Sequence, residues 1–317
     1  MDKISGFDLN VFEFDYDLTY YVFFLSPDGQ VYGRYGGRDA KSAEARLSLR
    51  GLRFAMQSAL ETHRNAPKAN APAARKPLLA EEYPAARAMR KGECIHCHQV
   101  WEFRRQLTKS NGTFRRDDLW VYPLPENVGL TLDNDQGNMV REVKADSPAA
   151  RAGLKPGDLV KRLNGLPVFS FGDAQHALHR APAQGPIPIA WQQGGQERSA
   201  NLEVAAGWRK TNVTWRPSML DILPALSLYG DDLTAAEKKA LGLSEKRLAF
   251  RQDKTVGKEA QRLGVQADDI VVGINNEPLE MTMLEFLAYI RRNFLVGDKI
   301  TLNVFRNGKR LDLPGQL

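Results

Sequence analysis

The chain has 317 residues, 43% hydrophobic and 26% charged, with a formal net charge of +6. That length exceeds one ordinary hydrophobic core and implies two or three domains. No apolar run approaches the ~18 residues of a membrane span, which excludes an integral membrane segment. The mild basic excess suits an acidic partner or plain solubility and gives no sign of nucleic-acid binding. The start, MDKISGFDLNVFEF, lacks the charged-then-apolar pattern of a secretory leader.

Residues 19–37 read TYYVFFLSPDGQVYGRYGG: an aromatic and β-branched run, a Pro-Asp-Gly turn and a second alternating run, the pattern of a β-hairpin. From Ala40 to His63 the period becomes helical, with Leu49, Leu52, Met56 and Leu60 near one face and Gly36-Gly37 as the break ahead of it. Residues 66–79, APKANAPAARKPLL, have no periodicity and read as a semi-extended linker. Residues 80–108 are helical in character, interrupted by Pro84 and Gly92, and carry both cysteines of the chain, Cys94 and Cys97. Lys109 to Asn127 is loop-like and leads into a new domain.

An internal repeat fills the rest. Residues 152–165, AGLKPGDLVKRLNG, align without a gap on residues 263–276, LGVQADDIVVGINN, pairing Gly153 with Gly264, Asp158 with Asp269, Leu159 with Ile270 and Asn164 with Asn275. Asn276 stands where the first copy has the turn residue Gly165, and Asn tolerates the left-handed backbone such a turn needs.

Two family resemblances follow. Ser147-Pro148-Ala149-Ala150, Ala152-Gly153-Leu154, Pro156-Gly157-Asp158 and Asn164-Gly165 together resemble a bacterial PDZ domain, of the kind appended to periplasmic trypsin-like proteases, over about residues 127–206. The second copy, about residues 232–315, is similar through LTAAEKKALGL and LAFRQD. Over about residues 6–64, the order strand, Asp-Gly turn, strand, Gly-Gly and amphipathic helix resembles the C-terminal half of the thioredoxin-like fold, without the half that carries that family's cysteines. The implied fold class is α+β multidomain: a thioredoxin-like half-fold (1–65), the linker (66–79), a helical segment (80–126), a PDZ domain (127–207), a second linker (208–231) and a PDZ-like domain (232–317).

The PDZ resemblance implies that a peptide adds as an extra strand while backbone N–H groups capture its terminal carboxylate. The positions expected to do this are Gly137, Asn138, Met139 and Val140 opposite a helix around Asp173 to His179, and Arg247, Leu248 and Ala249 opposite a helix near Met283 to Ile290. The bland alternative is that one or both copies only pack against each other or a partner subunit. The chain has neither Gly-x-Ser-x-Gly nor Gly-Asn-Ser-Gly-Gly and only five histidines, so no serine-protease triad is expected.

Cys94-Ile95-His96-Cys97-His98 resembles, over these five residues alone, the attachment motif of c-type haem. On a helical turn, residues three apart share a face, so both sulfurs would meet the porphyrin edge and His98 the iron. Val100, Trp101, Phe103 and Leu107 offer apolar cover, and nearby arginines would offset propionates or steer an acidic redox partner. Neither Met nor His occurs between Gln99 and Asn138, so a sixth ligand would be Met89, His63, His176, His179 or another molecule. The alternatives are a zinc or copper clip using His96 as well, a dithiol redox pair, or structural thiols with no cofactor.

The expected function is a periplasmic haem c protein for electron transfer or redox sensing, whose PDZ domains bind partner proteins or C-terminal peptides. A non-catalytic PDZ scaffold with a thiol switch or metal clip, and a thiol-disulfide oxidoreductase, are the alternatives. Haem attachment and the PDZ resemblance both imply the periplasm, with a leader expected upstream of Met1; otherwise the compartment is the cytoplasm.

Overall fold

A computed structural model describes residues 3–65, 75–90 and 92–317, so most of the expected linker over 66–79 lies outside the described residues. Two compact units result, Met1–Val213 and Thr214–Leu317.

The first unit opens with strands β1 (Tyr21–Leu25) and β2 (Val31–Gly36), paired antiparallel with Tyr21 opposite Gly36. Gly29, at φ 79°, lets the turn close, and the Ser26 N–H donates to the Gln30 carbonyl. Helix α1 (Leu49–Asn65) begins at Leu49 and not at Ala40. Its buried face is Gly51, Ala55 and Ala59, whereas Leu49, Met56 and Leu60 of the expected core face are 86%, 50% and 47% exposed. Small residues win that face because the neighbouring backbone comes close: a Cβ on Gly51 would lie 2.1 Å from the Asn134 carbonyl oxygen.

Helices α2 (Pro84–Arg87) and α3 (Gln99–Ser110) follow, and residues 93–98 between them are not helical. Both pack into an aromatic cluster with Tyr16, Tyr83, Trp101 and Tyr122. The first unit then continues with β3 (Leu130–Leu132), β4 (Val140–Val143), α4 (Pro148–Ala152), β5 (Leu159–Leu163), β6 (Leu166–Pro167), α5 (Phe171–His179), β7 (Gly185–Gln193) and β8 (Gln196–Val204). Strand β3 pairs only with β4, and the other four form the order β6-β5-β7-β8. Ser147 caps α4 by accepting from the Ala150 N–H, Pro148 takes the first helical position, and Gly153 at φ 93° ends it. Val128, Leu130, Val140, Leu163, Leu178 and Leu202 meet in the core.

The β1–β2 pair is a sheet of its own. It meets the start of α5, with Tyr21 Oη donating to the Gly172 carbonyl and the Arg34 N–H, on the free edge of β2, donating to Asp173 Oδ1 at 2.8 Å. The hairpin expected from sequence is present, but it serves as a cover for a PDZ helix and not as one side of a thioredoxin sheet.

The second unit holds β9 (Gly230–Asp232), α6 (Ala235–Ala240), β10 (Phe250–Gln252), α7 (Lys258–Arg262), β11 (Ile270–Ile274), α8 (Met283–Asn293), β12 (Lys299–Arg306) and β13 (Lys309–Gln316). The sheet runs β13-β12-β11-β10-β9 around Leu248, Phe250, Val271, Phe286, Ile290 and Leu302. Except for α6 and β6, the element order repeats that of the first unit from β3 onward.

The gapless sequence repeat is a repeat of bonds. Asp158 Oδ2 accepts from the Lys155 N–H at 2.9 Å, and Asp269 Oδ2 accepts from the Gln266 N–H at 2.8 Å, closing the same turn before β5 and β11. Asn164 and Asn275 share left-handed geometry at φ 48° and 51°, and Asn276 takes φ 60° where Gly165 has 76°.

Candidate functional site

Among the described residues, each repeat has a strand with one unpaired edge lying beside its longest helix. In the second, β9 sits at the end of its sheet. Leu233 N–H donates to the Ala249 carbonyl and Asp253 N–H to the Tyr229 carbonyl, so the odd-numbered residues of β9 face β10. Because successive backbone groups alternate in direction, Gly230 and Asp232 direct theirs to the outer edge. Gly230 cannot carry a side chain, since a Cβ there would lie 1.8 Å from the Arg251 carbonyl oxygen.

Across from this edge stands α8. Thr282 and Glu285 cap its start reciprocally, and Asp232 Oδ1 accepts from the Met283 N–H at 2.9 Å, tying strand to helix. Only Phe286 and Ile290 of α8 are buried; Leu284 is 72% exposed, and Tyr229, just ahead of β9, is 48% exposed. The second unit thus presents an unpaired strand edge among the described residues and, exposed nearby, two large apolar side chains.

In the first repeat, Lys144 N–H donates to the Gly129 carbonyl and Asp133 N–H to the Met139 carbonyl, so β3 turns one edge to β4 and leaves the other unpaired. The facing helix is enclosed: every residue of α5 from Phe171 to Leu178 is buried. Ala174, Ala177 and Leu178 enter the PDZ core. The remaining sides meet β2 and Tyr122, whose ring stacks on His179 at 4.3 Å and whose carbonyl accepts from Gln175 Nε2.

That enclosure sets the electrostatics. Burial raises Asp173 to about 7 despite nearby Arg34. Burial, with Arg34 and Arg180 adding to it, lowers His176 to about 3. Burial and the Arg209 charge hold His179 well below its ordinary value. Both rings are therefore neutral at physiological pH, and His179 Nδ1 accepts the Tyr122 N–H at 3.4 Å.

The expected peptide-binding residues lie elsewhere. Val140 is 1% exposed and begins β4; Asn138, 5% exposed, donates from Nδ2 to the Val160 carbonyl, and Met139 bridges to Leu159. Gly137 packs under Ser170. Leu248 and Ala249 are fully buried ahead of the interior strand β10, and Arg247 Nη2 donates to the Glu277 carbonyl of its own unit. Residues 138–140 bond to residues 158–160 as well as toward β3, and β10 lies between β9 and β11, so neither stretch offers an open edge to a peptide. The edge strands are instead Leu130–Leu132 and Gly230–Asp232, each preceded by a glycine or an exposed aromatic; the glycines at 129 and 230 were the readable signal. The helices are where the sequence puts them.

The cysteine motif does not take the expected form. Cys94 and Cys97 are half-buried, not disulfide-bonded, and lie in the non-helical approach to α3, so the helical-turn argument fails. Val100, Trp101 and Phe103 are 0%, 8% and 4% exposed and packed among Tyr16, Tyr83 and Tyr122, leaving none of them as macrocycle cover. His98 Nδ1 pairs with Glu102 Oε1 at 2.7 Å on the same helical face. Of the expected sixth ligands, His63 Nδ1 bonds Tyr32 Oη, His176 and His179 bond Tyr122, and Met89 packs on the aromatic cluster. These residues do not fit a haem. Among the described residues, no three His, Cys, Asp or Glu side chains are grouped to hold a metal.

With this geometry in place, the comparisons agree on a class. A PDZ domain profile matches residues 139–193, so the chain contains a PDZ domain. Its homologues are serine endoproteases of the DegP type. The periplasmic serine endoprotease DegP of Escherichia coli is 24% identical over 193 residues, 60% of this chain and 38% of that one. The periplasmic pH-dependent serine endoprotease DegQ of the same species is 28% identical over 177 residues, 56% and 35%. Among solved structures, the HtrA-type protease AlgW with a decapeptide matches at 15% identity and TM-score 0.27, covering 56% of this chain and 53% of that one. The chain thus spans less than two fifths of the two curated relatives' length.

These relatives overturn the expected haem protein for electron transfer or redox sensing: homology points to proteolytic proteins, and the acidic redox partner falls with it. No helix among the described residues is long and apolar enough to cross a membrane.

Proposed function

We propose that this chain recognises polypeptides in periplasmic proteolysis, taking an extended segment as an added strand on β9 with its side chains against α8. The carrying observation is the outer edge of Gly230 and Asp232 facing a helix whose Leu284 is 72% exposed. Strand addition gives affinity through the backbone, while Tyr229 and Leu284 supply apolar selection. The location and the proteolytic context rest on the homologues.

The test is fluorescence anisotropy of the full chain with labelled peptides ending in an apolar residue, free or amidated at the C-terminus. Saturable binding that weakens at least tenfold in Leu284→Glu is expected. Preference for the free carboxylate supports terminal capture. Binding that is indifferent to Leu284→Glu would remove the second groove from the account.

A further inference from the structure

The first groove is already occupied by the chain itself. After β2, residues 37–48 cross from the start of α5 to the far end of β3. At the helix, Gly37 sits so close to Phe171 that a Cβ there would be 2.4 Å from the ring. At the strand, Asn134 Nδ2 donates to the Ala45 carbonyl and Ser48 Oγ donates to the Asn134 carbonyl.

Between these points the Arg46 side chain, 11% exposed, lies across the groove. Its guanidinium is 4.7 Å from the centre of the Phe171 ring and 2.7 Å from Glu126 Oε1, the residue that leads into Gly129 and β3. The segment's own Asp39 is its second acidic neighbour, at 3.3 Å. A ring face and a carboxylate together form a cation-binding corner.

The fit is incomplete in an informative way. Arg46 Nε is buried with no hydrogen bond, and neither Glu126 oxygen has a hydrogen bond of good geometry. Charge, stacking and one hydrogen bond to Asp39 within the segment hold the side chain, with no two-pronged fork onto Glu126. A buried polar group left unpaired weakens the contact that contains it, so a ligand that completes those bonds can displace this one.

We infer that the first PDZ groove is a peptide site selecting a basic side chain, and that residues 37–48 are its resident pseudo-ligand with Arg46 as the anchor. This rests on the polypeptide-binding reading above, and extends it from the open groove to the closed one. A competing polypeptide would place Arg or Lys between Phe171 and Glu126 and run beside β3. The other occupant of such a corner, a free cation, would not use the strand edge.

The experiment uses the full chain carrying Leu284→Glu, which silences the second groove, and a labelled extended peptide with Arg, Lys, Ala or Glu at its central position. Adding Arg46→Ala should tighten binding of the Arg and Lys peptides at least tenfold and leave the Ala and Glu peptides unchanged. Glu126→Gln on top of Arg46→Ala should abolish the gain, and a synthetic peptide of residues 38–48 should compete for the opened site. An affinity that Arg46→Ala does not raise, or raises equally for all four peptides, overturns the inference and leaves β9 untouched. Should Arg46→Ala not fold, Glu126→Gln alone is read by hydrogen exchange: faster exchange at residues 45–48 supports the plug, and unchanged exchange overturns it.

Discussion

The two repeats share a fold and differ in what covers their long helix. Helix α5 is buried from Phe171 to Leu178, while α8 buries only Phe286 and Ile290. The first repeat is preceded by a hairpin, a helix and an aromatic cluster that have closed over it; the second has Leu284 and Tyr229 in solvent. The same order of strands and helices therefore leaves one long helix closed over by its own chain and the other exposed.

The largest expected effect separates the repeats by how each holds its shared turn. Asp269 is fully buried and accepts two bonds at 2.7 Å from Arg306, whereas Asp158 accepts from neutral Gln193. Asp269→Ala removes a buried acceptor of two charged hydrogen bonds and should cost the second unit about 2–3 kcal/mol. Asp158→Ala should cost the first about 1–2 kcal/mol. Urea unfolding of each variant checks the order, and equal losses would break the contrast.

Next comes pH. Every histidine of the chain lies in the first unit. The folded-state values of His176, about 3, and of His179 are depressed, so their contribution is present above about pH 6.5 and is lost as pH falls below it. Asp173 acts in the opposite sense: its folded value is raised to about 7, so it favours the folded state on acidification from 7 to 3.8. Two histidines against one carboxylate leave a net acid weakening of the first unit. The pair His176→Asn and His179→Asn, which keeps an acceptor for the Tyr122 N–H, should flatten the fall in urea midpoint between pH 7 and 4. A slope unchanged by the pair would contradict the assignment.

The smallest effect belongs to the cysteines. Cys94→Ser, half-exposed, should change stability by about 0.5 kcal/mol or less, and Cys97→Ser, against the aromatic cluster, by about 1 kcal/mol. Peptide affinity should stay within twofold in both, and a tenfold loss would return the motif to function.

Much of the architecture was legible because it is local. The Pro-Asp-Gly hairpin, the Ser147-Pro148 cap, the Asp158 and Asp269 turns and the Asn-rich left-handed corners are each written in adjacent residues. Strand identity within the repeat was not. NMVREV and LAFRQD are the more regular runs, but the first is tied at its start to residues 158–160 and the second is an interior strand, and the three-residue strands β3 and β9 leave a short trace: a glycine at 129 or 230. Helix α1 misled for a related reason, since its leucines suggest a core face that close backbone approach gives to Gly51, Ala55 and Ala59. The Cys-x-x-Cys-His spacing matched a motif whose geometry depends on a helical turn, whereas helix α3 begins only at Gln99, after both cysteines. The cover over α5 joins residues more than a hundred positions apart, a distance over which no periodicity speaks.

Hydrogen exchange of the full chain with and without a saturating apolar-ended peptide tests strand addition most directly. The account predicts new protection at the amides of Gly230 and Asp232, with Asp231 and the interior strand β10 unchanged. Protection confined to residues 137–140, or none on β9, would contradict it.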